Sequence, residues 1–168
     1  MVINMNDTVW ILSPIGTLQL TTNPIGLCKI QIDPPSSDSD QLDQINQLLA
    51  AVKTQLIEYF AGTRKTFDLP LDLEQLHGFQ KEVLKVVSQI SYGKVLTYGQ
   101  IAAQLLKPSA CRAVGTALAR NPLPILIPCH RVVAANGHLA GYLGKKGVAA
   151  KKWLLEMEGH KIVGEKLV

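Results

Sequence analysis

From Val83 to Leu155 the chain contains no aspartate or glutamate, while Lys85, Lys94, Lys107, Arg112, Arg120, Arg131, Lys145, Lys146, Lys151 and Lys152 all fall within that span. A surface built from such a stretch repels cations and attracts polyanions. No apolar run approaches the roughly 18 residues needed to cross a bilayer, so no membrane partner is expected. The opening Met1-Val2-Ile3-Asn4 has no basic segment leading into an apolar one, and no secretory signal is expected. Cys28, Cys111 and Cys129 are odd in number and lack paired spacing, which argues against a disulfide framework. Together with His77, His130, His138 and His160 they include no zinc-site spacing, and no metal or cofactor is expected. The expectation is a soluble protein of a reducing compartment, cytoplasmic or, in a eukaryotic source, nuclear.

The net charge of +4 conceals an asymmetry. Residues 1–75 carry four Lys or Arg against nine Asp or Glu, net −5; residues 76–168 carry thirteen against four, net +9. A split of this kind suggests two modules, 1–75 and 76–168, of which the second faces an anionic partner. A solvated basic face without a partner is the plainer alternative.

In the first module, β-like runs at Val9 to Leu12, Gly16 to Thr21 and Gly26 to Ile32 are separated by the turn signals Ser13-Pro14 and Asn23-Pro24. A polar link, Pro34 to Asp40, precedes a helical stripe of Leu42, Ile45, Leu48, Leu49, Val52, Leu56, Tyr59 and Phe60. This reads as a small sheet with a covering helix, and no chemistry is visible in it. A boundary is expected near Leu69 to His77. Beyond it, Phe79, Val83, Val86, Val87 and Ile90 form one apolar stripe.

A helix should follow Thr97, which has capping-box spacing with Gln100, and should stop before Lys107-Pro108. The next is expected over Ser109 to Ala119, with Ser109 as its N-cap. Its small residues Ala110, Cys111, Ala113, Gly115, Thr116 and Ala117 suit either close helix packing or close approach to a ligand. Two short helices joined by a tight turn, the second basic at its start, resemble a helix-turn-helix unit. A last helix fits Val148 to Met157.

Cys129 stands at the end of Pro124-Ile125-Leu126-Ile127-Pro128, where two prolines fix the backbone on either side of an apolar tripeptide. With His130 and Arg131 adjacent and a positive field around it, its sulfur is a candidate thiolate. A structural buried thiol is the bland alternative. A Cys-His hydrolase is the rival in another enzyme class; adjacent side chains in an extended segment point apart, so Cys129 and His130 would need a turn or a bridging water to exchange a proton.

The segments YGKVLTYGQIA, CRAVGTALARNPLPILIPCHRVV and KWLLEMEGH, within Tyr92 to His160, closely resemble the C-terminal domain of the O(6)-alkylguanine-DNA alkyltransferases. SPIGTLQL and GLCKIQI resemble, more loosely, that family's N-terminal ribonuclease-H-like domain. The resemblance implies an α/β (α+β) fold: a small sheet plus helix, then a winged-helix-like helical domain with a helix-turn-helix. It implies irreversible, single-turnover transfer of a methyl or alkyl group from O(6)-alkylguanine in double-stranded DNA to the protein, with base flipping and no cofactor. O(4)-methylthymine is an expected second substrate. A monomer is expected, with cooperativity on DNA left open.

Residue by residue, the resemblance makes Cys129 the alkyl acceptor, His130 the base acting through a water, and Glu158 the carboxylate orienting that histidine. Asn121 ties the active-site turn to the helix-turn-helix. Tyr98 crowds the target phosphate and donates to the bound base, and Arg112 fills the stack where the base has left. Thr97, Gln100, Ser109, Ala110 and Ala113 face DNA, approached through the minor groove. Tyr142, Leu143, Pro124, Val132 and Leu118 form the pocket wall. The physics is compatible with these roles: an alkyl group on guanine O6 lies inside the duplex, and extrusion costs roughly a few kcal/mol. An arginine guanidinium can stack in the gap.

The chain departs from the family pattern at Leu143, where many relatives have a small or polar residue, and at the longer, basic Gly144-Lys145-Lys146-Gly147. It also departs at Cys111, a packed small side chain or a second reactive thiol. Residues 1–75 hold only Cys28 and no histidine, which does not support the zinc site of some relatives. A non-reacting lesion sensor of the same family lacks the cysteine that is present here.

Overall fold

The computed structural model describes residues 6–34, 46–143 and 147–168. Three strands, β1 (Asp7–Ser13), β2 (Gly16–Thr22) and β3 (Leu27–Ile32), form an antiparallel sheet in the order β1-β2-β3. Leu18 and Leu20 of β2 pair with Ile32 and Ile30 of β3, so one face of the sheet is apolar. Helix α1 (Gln47–Phe60) covers that face with Leu49, Val52, Leu56 and Tyr59. Each aliphatic side chain buried there contributes roughly 1.5–3 kcal/mol. Asn46 caps α1 by accepting from the Leu49 N–H at 2.7 Å. The expected helix positions Leu42 and Ile45, most of the polar link and the core of the basic loop (144–146) lie outside the described residues.

The free edge of β3 is held by segments from further along the chain. The Leu27 N–H donates to Pro70 O at 2.9 Å, and the Asp72 N–H donates to Leu27 O at 3.0 Å. The Ile30 N–H donates to Pro122 O at 2.8 Å, just ahead of the cysteine turn. The approach to Pro70 is close enough that only glycine fits at 26, since a Cβ there would lie 2.4 Å from the Pro70 carbonyl oxygen.

Helices α2 (Gly78–Ser88), α3 (Tyr98–Gln104) and α4 (Cys111–Ala119) pack on one another, burying Val83, Leu84, Val87, Ile101, Ala102, Val114, Ala117 and Leu118. The capping box at α3 is present in both directions: Thr97 Oγ1 accepts from the Gln100 N–H, and Gln100 Oε1 accepts from the Thr97 N–H. Helix α3 ends in a Schellman turn, with Leu106 at φ 57 and the Lys107 N–H donating to Ala102 O at 2.9 Å. The expected N-cap at Ser109 is corrected. The Ala110 N–H donates to Lys107 O, which closes a turn around Ser109 and leaves Ala110 at the capping position without a side-chain bond.

Two further strands, β4 (Leu96–Thr97) and β5 (Val132–Val133), pair in parallel. Helix α5 (Gly147–Met157) follows, and the chain closes with a hairpin of β6 (Ile162–Val163) and β7 (Lys166–Leu167). A single main apolar core runs from Ile11 of the sheet to Leu154 of α5. Among the described residues no helix is long and apolar enough to cross a membrane.

Candidate active site

Helix α4 delivers the chain to Asn121, and Asn121 organises the turn that leads to Cys129. Its buried amide nitrogen donates to Ile127 O at 2.8 Å and to Cys129 Sγ at 3.2 Å; its Oδ1 accepts from the Leu123 N–H at 3.0 Å. The turn between is strained. Ile125, buried and β-branched, sits at φ 78, a conformation that costs of order 1–3 kcal/mol. It persists because Pro124 and Pro128 restrict their own φ angles and the Ile127 N–H closes onto Leu123 O at 2.8 Å. Cys129 to Arg131 then form one 3₁₀ turn, so the sequence is not extended there.

That turn sends neighbouring side chains in different directions. Cys129 lies at the pocket, only 4% exposed. His130 is wholly buried, and its Nε2 lies 2.9 Å from Glu158 Oε1. Glu158 also accepts from Arg131 Nη2 at 2.8 Å, from Arg131 Nε at 2.9 Å, from the Tyr59 hydroxyl at 2.6 Å and from the Gly93 N–H at 3.2 Å. Arg131 donates further to Ile90 O at 2.6 Å. His130 Nδ1 is buried and has no partner among the described residues.

Burial works against charge throughout the cluster. It pushes the Cys129 thiol upward, which the Asn121 hydrogen bond and the Lys151 charge only partly offset. The basic field around the sulfur is weaker than its sequence neighbours suggest, because Arg131 is paired with Glu158, and burial favours the thiol form. Burial lowers His130, against the pull of Glu158, so the imidazole is a neutral base. Burial alone would raise Glu158, but hydrogen bonds from His130 and Arg131 outweigh it and keep the carboxylate ionised far below its usual range. Lys151 is lowered to about 8 by burial, and its ammonium donates to Val132 O.

The sulfur opens into a cavity of about 650 Å3 between α3, α4 and the loop before α5. Its walls include Tyr98, Arg112, Leu118, Tyr142 and Leu143, all expected from sequence. Burial raises Tyr98, and a charge on Cys129 would raise it further, so its hydroxyl stays protonated as a donor. Tyr142 likewise keeps its proton because it is buried, and a charge on Cys129 would raise it further. Pro124 and Val132 stand behind this wall rather than in it, because the first is folded into the strained turn and the second pairs with β4. Gly99, Gly115, Ala119, Ala134, Ala135 and Gly141 complete the lining. Their small size was legible only at α4.

Arg112 and Ala113 are exposed on the first turn of α4, with Ser109 exposed and Ala110 half-buried just before them. Thr97 and Gln100 sit at the start of α3 with their oxygens engaged in the capping box. Cys111 lines the same cavity as Cys129, from its rim. Tyr59 was not anticipated as a site residue: from α1, where the sequence shows no chemistry, its hydroxyl reaches Glu158. The signal was a tyrosine in the core-facing phase of a helix, where its buried hydroxyl requires a partner.

Known proteins share this architecture. The family model described as 6-O-methylguanine DNA methyltransferase, DNA binding domain, matches residues 78–160. The model for the ribonuclease-like domain of the same methyltransferase matches residues 10–73. A methylated-DNA–protein-cysteine methyltransferase from Methanosarcina acetivorans is 40% identical over 154 residues, covering 88% of this chain and 94% of that protein. The crystal structure of the Mycobacterium tuberculosis O6-methylguanine methyltransferase superposes with a TM-score of 0.80 at 37% identity, covering 92% of this chain and 93% of that one. A second M. tuberculosis structure, in complex with DNA, superposes with a TM-score of 0.78 at 40% identity, covering 89% and 90%.

Proposed function

The chain belongs to the O6-methylguanine-DNA methyltransferase family, and from that premise we propose that it repairs DNA by moving the O6-alkyl group of guanine onto Cys129. The observation that carries this reading is a single buried sulfur at the floor of an open cavity, bonded by Asn121 and adjacent to a buried His130–Glu158 pair. We divide the chain into a supporting module, 1–75, and a DNA-binding and transfer module, 76–168.

The cavity admits a base only if the nucleotide leaves the stack, so repair proceeds on a flipped nucleotide in duplex DNA. Arg112, exposed at the mouth on the first turn of α4, fills the vacated position. The surrounding small residues let the helix backbone come close to the minor groove. His130 Nδ1 accepts the thiol proton through one water, since no direct hydrogen bond joins the two side chains. The thiolate attacks the alkyl carbon, the carbon–O6 bond breaks, and its electron pair goes to guanine. Tyr98 donates a proton to the leaving base. The product is a thioether with no nearby group to cleave it, so each molecule acts once. Leu143 narrows the wall and favours methyl over bulky groups; O(4)-methylthymine is a second substrate. The protein acts as a monomer.

Incubation with a methylated duplex oligonucleotide, followed by peptide mass mapping, should show one added methyl per molecule, confined to the peptide with Cys129. Cys129→Ser should bind the same DNA and gain nothing. Turnover beyond one equivalent, or methylation elsewhere, would overturn the reading.

A further inference from the structure

The cluster behind Cys129 includes one group from the first half of the chain. Tyr59 lies on α1, buried and packed against the rings of Phe60, Phe67 and Tyr92 at 5.3 to 6.2 Å. Those contacts need no hydroxyl. Yet the hydroxyl is present, 2.6 Å from Glu158 Oε1 and 3.3 Å from His130 Nε2.

We propose that Tyr59 is a positioning residue for alkyl transfer: by donating to Glu158 it leaves His130 Nε2 to that carboxylate and limits the carboxylate's pull on the imidazole that takes the proton of the cysteine. A phenol has one proton to give, and the shorter contact takes it. Glu158 is ionised and can only accept. The His130 nitrogen facing it, Nε2, must therefore carry a proton, which leaves Nδ1 as the bare lone pair. Nδ1 is the ring nitrogen that is buried without a partner among the described residues.

The hydroxyl also tempers Glu158. A carboxylate that shares its charge with Tyr59 pulls less strongly on the imidazole. Removing that donor leaves more charge facing Nε2, favours imidazolium, and takes the base out of service at higher pH. The other groups facing the pair are Arg131 on the same turn, Lys151 on α5, Tyr92 after α2, Tyr142 before α5, and Cys129 itself. All of them remain in place in Tyr59→Phe.

This inference rests on Cys129 being the alkyl acceptor, and wild-type protein tests that premise alone. The rate of a single round of methyl transfer is measured from about pH 5 to about pH 9 for wild type, Tyr59→Phe and Phe67→Leu. Phe67→Leu loosens the same ring cluster without touching the carboxylate. The acid limb of Tyr59→Phe should move upward by up to about one unit, with rates on that limb lower by up to about tenfold and the high-pH plateau retained. Phe67→Leu should keep the wild-type limb. A Tyr59→Phe profile superimposable on wild type overturns the proposal, whatever the change in melting temperature. Nitrogen-15 spectra of wild-type His130 near pH 7 give a check that survives a misfolded variant: Nε2–H is expected, and Nδ1–H overturns it.

Discussion

Replacing Glu158 by glutamine leaves the shape of the side chain and removes its charge. In the native protein that carboxylate is fully buried and answers a guanidinium only 7% exposed, at 2.8 Å. Glutamine offers one acceptor oxygen where five donor atoms converge, and turns an amide donor toward other donors. Arg131 then keeps its charge in a site almost closed to water, where breaking a buried pair from one side costs about 3–5 kcal/mol. For a chain of this size each kcal/mol moves the melting temperature by about 2–4 °C, so a fall of about 6–20 °C is expected. The pH dependence adds a second signature. Glu158 is lowered in the folded state, so its contribution is complete above the unfolded value of about 4.3 and drains away as pH falls toward the folded one. The gap between wild type and Glu158→Gln in thermal unfolding by circular dichroism should be constant between about pH 7 and 8 and narrow below about pH 4. A fall smaller than about 2 °C at neutral pH would refute the claim that Glu158 neutralises the interior.

Arg112→Ala removes an exposed side chain from the wall of the cavity. Its melting temperature should stay within about 1 °C of wild type, while transfer from duplex DNA slows and reaction with a free O6-alkylguanine base does not; equal losses on both would end the stacking role. Asn121→Ala leaves the Leu123 N–H unpaired in the interior, while Ile127 O keeps the Cys129 N–H as its donor. At about 1–3 kcal/mol for one orphaned donor, a loss in that range is expected by denaturant titration, together with slower labelling of Cys129; a stability change under about 0.5 kcal/mol would mean the turn holds its shape without the amide.

Much of the architecture was legible because the relevant signals are local. Alternation in β2, the three-and-four spacing in α1, and the Thr97–Gln100 pair each act within a few residues, and all three appear in the structure. Cys129 was legible for the same reason, since two prolines and an apolar tripeptide describe a rigid turn. What escaped notice depends on distant partners. Tyr59 and Glu158 are separated by 99 positions, and only the folded chain brings them to 2.6 Å. Arg131 read as part of a positive surface because sequence gives its sign but not its direction; it points inward and is neutralised. Ser109 failed as a cap because a tight turn competes for the same backbone.

The border of the small sheet carries a consequence for how the molecule is made. The outer rim of β3 is satisfied by Pro70, Asp72 and Pro122, and the last of these emerges nearly a hundred residues later. Until that stretch is synthesised, the Ile30 amide on the rim is open to whatever strand drifts past. A fragment cut between Asp72 and Pro122 would keep its seal at Leu27 and lose it at Ile30, so the later stretch finishes an edge that the first half closes only in part.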